Sequence, residues 1–258
     1  MKYAKRADGT RIAYEEDGTG AQPIVFVHGW CCDHRHFAPQ FAHFSARHRV
    51  VAVDQRGFGQ SDKPRQKYTI EGFADDLAWL CGELGLERPA LVGHSLGGAV
   101  VTATAARHPA LPRAIALCDP ALFFPAFMKS AIAPFIAGLG SPDYKKIAAD
   151  FIEQRLFGPY DDPVRRARIS AEMCETPQHV MHSAFENLMA FDGESAARAC
   201  RVPMLLIDAE TPIVERARFL EACPKAVVAQ TAGAGHFHQL EVPDQVNAML
   251  ERFLYTTR

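Results

Sequence analysis

The sequence predicts an α/β protein built on a mostly parallel, doubly wound sheet with a helical insertion. Three observations carry this expectation. Short, continuous apolar runs recur along the chain, the mark of strands buried on both faces. Amphipathic helical patterns separate them. One interval, from about Ala121 to Cys200, has helical periodicity and no strand-like run.

The elements follow in chain order. Asp8-Gly9 is a turn signal, and Arg11-Ile12-Ala13-Tyr14-Glu15 after it reads as one arm of a hairpin. The runs of the buried type are Pro23–Val27, Arg49–Asp54, Ala90–Val92, Ala114–Cys118, Pro203–Ile207 and Ala226–Ala229. Between the second and third, Ile70 to Leu84 places Phe73, Leu77, Leu80 and Leu84 on one helical face. A small-residue helix, Ala99 to Arg107, follows the third. Pro243 opens the last helix, which runs over Val246 to Leu254. A stretch of 80 residues without strands is anomalous as a loop. The expected organisation is therefore a core of residues 1–120 and 201–258 with a helical cap of 121–200. The insertion is rich in Phe and Met, which suits both packing within it and an apolar pocket beneath it.

Composition excludes several functional classes. The 258 residues are 48% hydrophobic and 22% charged, which is ordinary for a globular protein and rules out a disordered chain. A net charge of −2 gives no electrostatic reason to expect nucleic acid or an anionic membrane. No run approaches the roughly 18 apolar residues of a membrane helix. MKYAKRADGT has basic residues but no apolar run behind them, so no secretory signal is expected. Seven scattered cysteines, at 31, 32, 81, 118, 174, 200 and 223, read as free thiols in a reducing, cytoplasmic setting. No CxxC pair and no HExxH spacing occurs, so no metal is expected.

The chemistry lies at the strand ends. Gly93-His94-Ser95-Leu96-Gly97 is a G-x-S-x-G motif that follows a buried strand and opens a helix. That context puts a serine on a tight strand-to-helix turn with its hydroxyl exposed, so Ser95 is the expected nucleophile. His28-Gly29-Trp30 ends an earlier strand. Its turn can aim the N–H of Trp30 at an oxyanion, with the N–H of Leu96 as second donor. His236 follows the last strand in a glycine-flexible loop, where a general base can approach a serine. His238 is the rival, but two residues on it points elsewhere.

These motifs resemble the α/β-hydrolase fold superfamily over nearly the whole chain. The matching marks are His28-Gly29-Trp30, Asp54-Gln55-Arg56-Gly57-Phe58-Gly59-Gln60-Ser61-Asp62, the Ser95 elbow, and Gly235-His236 with Glu241-x-Pro243. The resemblance implies that Asp54 and Arg56 belong to a structural turn and have no chemical role. It also implies an acid that orients the histidine, often in a Gly-x-x-Asp-Pro pattern after the strand that follows the cap. Here that segment reads Asp208-Ala209-Glu210-Thr211-Pro212, one residue short and without the glycine. Some members place the acid one strand earlier, where this chain has Cys118-Asp119-Pro120. Asp119 is the favoured acid, and Glu210 and Asp208 are the alternatives.

The expected function is a cofactor-independent serine hydrolase acting on a small, apolar or aromatic ester or lactone. Carbon–carbon bond hydrolysis and perhydrolysis use the same parts. A second reading comes from His28-Gly29-Trp30-Cys31-Cys32-Asp33-His34-Arg35, which is similar to a segment of the cofactor-free quinolone ring-cleaving dioxygenases. Leu96, where those enzymes resemble each other in having histidine, and Pro120, where an aromatic follows the acid, depart from them. A non-catalytic binding member is the third reading.

Overall fold

The computed structural model describes residues 1–257 and, of Lys129, the backbone alone. Among these residues eight strands form one sheet in the order β1-β2-β4-β3-β5-β6-β7-β8. They are β1 (Lys2–Lys5), β2 (Arg11–Asp17), β3 (Ile24–Val27), β4 (Val50–Val53), β5 (Ala90–His94), β6 (Ala114–Cys118), β7 (Met204–Asp208) and β8 (Val227–Gln230). The β1–β2 hairpin and the β2–β4 pair are antiparallel, and every other pair is parallel.

The apolar runs that predict β3 through β7 are apolar because both faces are covered, and every residue of these five strands is buried. Burying one Leu, Ile or Phe side chain stabilises by about 1.5–3 kcal/mol. On one face Phe26 of β3 stacks on Phe37 at 5.0 Å between ring centroids, and α12 (Pro243–Thr256) adds Val246, Leu250, Phe253 and Leu254. On the other face lie α2 (Ile70–Glu83) and α3 (Leu96–Arg107). Thr69 caps α2, its side chain accepting the N–H of Gly72. Phe73, Leu77 and Leu80 face inward as the spacing predicts. The helix α3 has no polar face because it is buried from Leu96 to Ala105, and Thr102 and Thr104 donate back to carbonyls one turn earlier.

Two expectations need correction. The run at 226–229 reads as a doubly covered strand, but β8 is a sheet edge and Val227 is half-exposed. It pairs only with β7, so its apolar composition reflects strand propensity and not burial. The elbow helix also starts three residues earlier than its alanine run suggests, immediately after Ser95.

Between β6 and β7 the chain is helical: α4 (Ala126–Ala131), α5 (Ala133–Leu139), α6 (Tyr144–Arg155), α7 (Pro163–Cys174), α8 (Gln178–Ala190) and α9 (Gly193–Ala199). The remaining helices are α1 (Ala38–Ser45), α10 (Arg216–Ala222) and the short α11 (His238–Glu241). No helix among the described residues is long and apolar enough to cross a membrane.

Candidate active site

The strand ends of β3, β5 and β6 meet at Ser95. The serine sits at φ 53°, ψ −120°, a conformation that L residues rarely adopt. Its neighbours permit the turn because they lack side chains. A Cβ on Gly93 would lie 2.2 Å from the Gly97 carbonyl oxygen, and one on Gly97 would lie 2.1 Å from that of Val27. The Ser95 N–H donates to Cys118, and its carbonyl accepts from Gly98 and Ala121. Its side chain does not cap α3. Among the described residues five non-glycine residues have positive φ, and four of them, Cys31, Ser95, Asp119 and Phe123, lie at or within a few residues of Trp30, Ser95 or Asp119. Strain of this kind persists only where the surrounding structure over-determines it.

Asp119 leaves the end of β6, its N–H held by the Ile207 carbonyl of β7 at 2.8 Å. Its Oδ2 lies 2.6 Å from Nδ1 of His236. A carboxylate accepts, so Nδ1 carries the proton and Nε2 keeps its lone pair. Both side chains are buried, and Asp119 Oδ1 has no partner among the described residues. The histidine loop is tied elsewhere too. The Gly235 N–H donates to Glu241 Oε2 at 2.8 Å, and Nε2 of His94 donates to the His236 carbonyl at 2.9 Å.

The alternatives make other contacts. His238 begins α11, sits buried against Thr231 Oγ1 at 3.2 Å, and is pushed down to about 4 by burial. Glu210 is exposed, and its N–H donates to the Ala234 carbonyl. Asp208 turns its Oδ2 to Arg216, with Nε at 2.8 Å and a terminal nitrogen at 2.6 Å. Burial nevertheless holds the Asp208 carboxyl above its ordinary range.

The turn after β3 is organised by His28, which is fully buried and pushed down to about 4 by desolvation. Nε2 accepts the Gln55 N–H at 3.1 Å, so Nδ1 carries the proton and donates to the Gly29 carbonyl at 2.8 Å. Gly29 faces the serine closely, for a Cβ built there would lie 3.1 Å from the Ser95 Cβ. Leu96 is the first residue of α3, so its N–H has no acceptor within the helix. The Trp30 N–H has no backbone partner among the described residues.

The indole of Trp30 reaches the helices between β6 and β7. Its Nε1–H donates to the Met181 carbonyl of α8 at 2.9 Å. Phe185 of α8 lies 5.0 Å from it, Phe135 of α5 at 6.1 Å and Phe151 of α6 at 6.4 Å. Phe157, between α6 and α7, packs on Phe237 beside the histidine. The chain between β6 and β7 thus contacts both the Trp30 turn and the His236 loop.

Asp54 and Arg56 are bonded within the turn after β4 and to the elements around it. Asp54 accepts from the backbone and ring of His34 and from the Gln60 N–H. Arg56 is bidentate to Asp76 and also reaches Asp8 and Thr10. Asp33, His34 and Asp54 bring ligand-type atoms within 4.8 Å of one another. Those carboxylate oxygens already accept from His34, Gln60 and Arg35, so the cluster reads as internal ion pairing. The seven cysteines are free thiols.

Residues 24–249 match the model of the alpha/beta hydrolase family. The chain belongs to that family. Among curated relatives, the AB hydrolase superfamily protein YisY of Bacillus subtilis is 27% identical over 97% of this chain and 98% of its own length. Among solved structures, the enol-lactonase from Burkholderia xenovorans LB400 superposes with a TM-score of 0.88 at 27% identity, covering 98% of this chain and 100% of that one. A thermophilic esterase from Thermogutta terrifontis gives the same TM-score at 25% identity, covering 100% and 99%. This alpha/beta hydrolase is therefore an enzyme of a family whose relatives include proteins named hydrolases, esterases and lactonases.

The residues that hold the alpha/beta hydrolase loops in place carry weaker sequence signals. Arg216, which occupies Asp208, is eight residues beyond it with no motif between. His94 stands inside the serine motif, yet nothing in that motif tells what its ring touches.

Proposed function

We propose that the protein is a cofactor-independent serine hydrolase that cleaves a small, apolar or aromatic ester or lactone through an acyl-enzyme at Ser95. The observation that carries this reading is the 2.6 Å Asp119–His236 bond, which leaves Nε2 of His236 with a lone pair to serve as base, in a chain whose G-x-S-x-G serine is held in a strained turn.

His236 Nε2 takes the proton of the Ser95 hydroxyl as Oγ attacks the carbonyl carbon. The Trp30 and Leu96 N–H groups hold the developing oxyanion. One such donor is typically worth about 2.7–4 kcal/mol at the transition state. Asp119 stabilises the imidazolium without taking its proton. The tetrahedral species expels the alkoxide, which receives the proton from Nε2. Water then gives a proton to Nε2 and attacks the acyl carbon, and the C–Oγ bond breaks as Nε2 returns that proton to Ser95 Oγ and the acid is released. The helices of residues 121–200 act as a cap over this centre. Their aromatic side chains around Trp30 favour an apolar acyl or alcohol part. The esterase and enol-lactonase among the similar structures are in keeping with this substrate class.

A His236–Asp119 pair could also deprotonate a ring hydroxyl for reaction with oxygen, which is the second reading. Ser95→Ala separates the two. Ester turnover should fall to the roughly 10³–10⁴-fold over water that triad enzymes keep without their nucleophile. Near-full turnover in that variant would end the acyl-enzyme reading, and oxygen-dependent ring cleavage surviving in it would favour the other.

A further inference from the structure

His94 lies between Gly93 and Ser95 and is fully buried. Its ring centroid is 4.6 Å from that of His236, and its Nε2 is 2.9 Å from the His236 carbonyl oxygen. A carbonyl only accepts, so Nε2 carries the proton and Nδ1 carries the lone pair. Nδ1 has no partner among the described residues and faces the turn before Trp30, where a Cβ built on Gly29 would lie 3.0 Å from it. Burial holds His94 well below the ordinary histidine range, so the ring stays neutral around pH 7. One rigid ring therefore adjoins Ser95 in the chain, packs under Gly29, and grips the main chain of His236.

We propose that His94 is a positioning residue that sets the reach of His236 toward Ser95 by holding its peptide carbonyl. The inference rests on the reading of Ser95 as nucleophile and His236 as base. Asp119 and His94 restrain different freedoms. The carboxylate fixes the rotation and tautomer of the His236 ring, and His94 fixes where its backbone stands. The loop needs the second restraint because Gly233 and Gly235 both precede His236, and Gly233 has φ 67°. Glycine leaves more backbone freedom to be lost on ordering than any other residue. A displacement of about 1 Å at a reacting group can lower the rate roughly 100-fold.

The test compares wild type, His94→Phe and His94→Gln in the full chain. Phe keeps a ring and removes the donor. Gln places an amide N–H near the position of Nε2. Kinetics on a p-nitrophenyl ester and the rate of phosphonylation by a fluorophosphonate are read beside the melting temperature. Phe should lower kcat and phosphonylation about 100-fold with KM little changed. Gln should recover most of that loss, even where both variants melt at the same lowered temperature. Near-wild-type kcat in Phe, or a loss in Gln as deep as in Phe, overturns the proposal. If Phe does not fold, His94→Asn takes its place, since its amide is too short to reach the carbonyl. Asn should then behave as Phe does, and equal rates for Asn and Gln overturn the proposal. A wild type that takes up no label defeats the nucleophile reading itself, whereas labelled wild type with unimpaired variants defeats only the role of His94.

Discussion

Nδ1 of His236 donates to Oδ2 of Asp119 across 2.6 Å, between residues 117 apart in sequence. The aspartate comes from the end of β6, next to the serine's own strand, so no long excursion of the chain is needed. Asp119→Asn keeps the shape but no longer favours the proton on Nδ1. Ester turnover should fall by roughly 10⁴ with the melting temperature nearly kept. Glu210→Gln should leave kcat near wild type, because that residue is exposed and His236 Nδ1 is already held by Asp119. Steady-state kinetics of the two variants side by side check both statements.

The elbow's tolerance to a single methyl group is a matter of packing. Gly97→Ala would place a carbon 2.1 Å from the Val27 carbonyl oxygen, a backbone atom that cannot swing aside. The variant should be insoluble or melt far below wild type. Gly82, in the exposed last turn of α2, has nothing within 4 Å of an added Cβ. Gly82→Ala should stabilise by up to about 1 kcal/mol through helix propensity. Thermal melts distinguish the two outcomes.

Buried neutral histidines make stability pH-dependent in a defined window. His28 and His238 are pushed down to about 4 by burial, against an ordinary value of 6.5. Above 6.5 neither state binds a proton at these rings. Below it the unfolded chain takes protons that the folded chain refuses until about pH 4. Stability should therefore fall as pH drops from 6.5 to 4, on the order of 3 kcal/mol per histidine. Melting temperature against pH gives the slope, and His238→Gln should make that limb shallower.

Trp30 has two separable parts. Trp30→Phe keeps the main-chain N–H and loses the indole donor to Met181. The lost bond costs about 1 kcal/mol, with further loss from the smaller ring among Phe135, Phe151 and Phe185. If the amide is the oxyanion donor, kcat should drop far less than the 10²–10³-fold that removal of such a donor causes. Denaturant unfolding and kinetics on one preparation measure both parts.

The central strands were readable because parallel strands buried on both faces must be apolar throughout. Val50–Val53 and Ala114–Cys118 have no polar residue to confuse the pattern. β1 was legible only as the unbounded other arm of the hairpin that Asp8-Gly9 signals, because Lys2–Lys5 is an exposed edge, and β8 looked buried because composition does not tell an edge from a centre. The turn that holds Ser95 was legible because G-x-S-x-G reports a local steric need. The pairing of Asp119 with His236 was legible only through the resemblance to the α/β-hydrolase superfamily, which implies an acid one strand earlier in some members where the later pattern is broken. The bond from His94 to the His236 carbonyl was not legible, since it depends on where a loop 142 residues away closes over β5. The Asp208–Arg216 pair was hidden for the same kind of reason: it is set by where the start of α10 stands relative to the end of β7, not by any spacing rule.

The central claim is that Ser95 is a nucleophile activated by His236, and stoichiometric phosphonylation tests it most directly. The full chain is incubated with a fluorophosphonate, and its intact mass and peptide map are recorded beside those of Ser95→Ala and His236→Ala. One adduct per chain, located at Ser95, absent from the serine variant and slowed by orders of magnitude in the histidine variant, is the predicted result. An unlabelled wild type, or a label that persists when Ser95 is alanine, would contradict it.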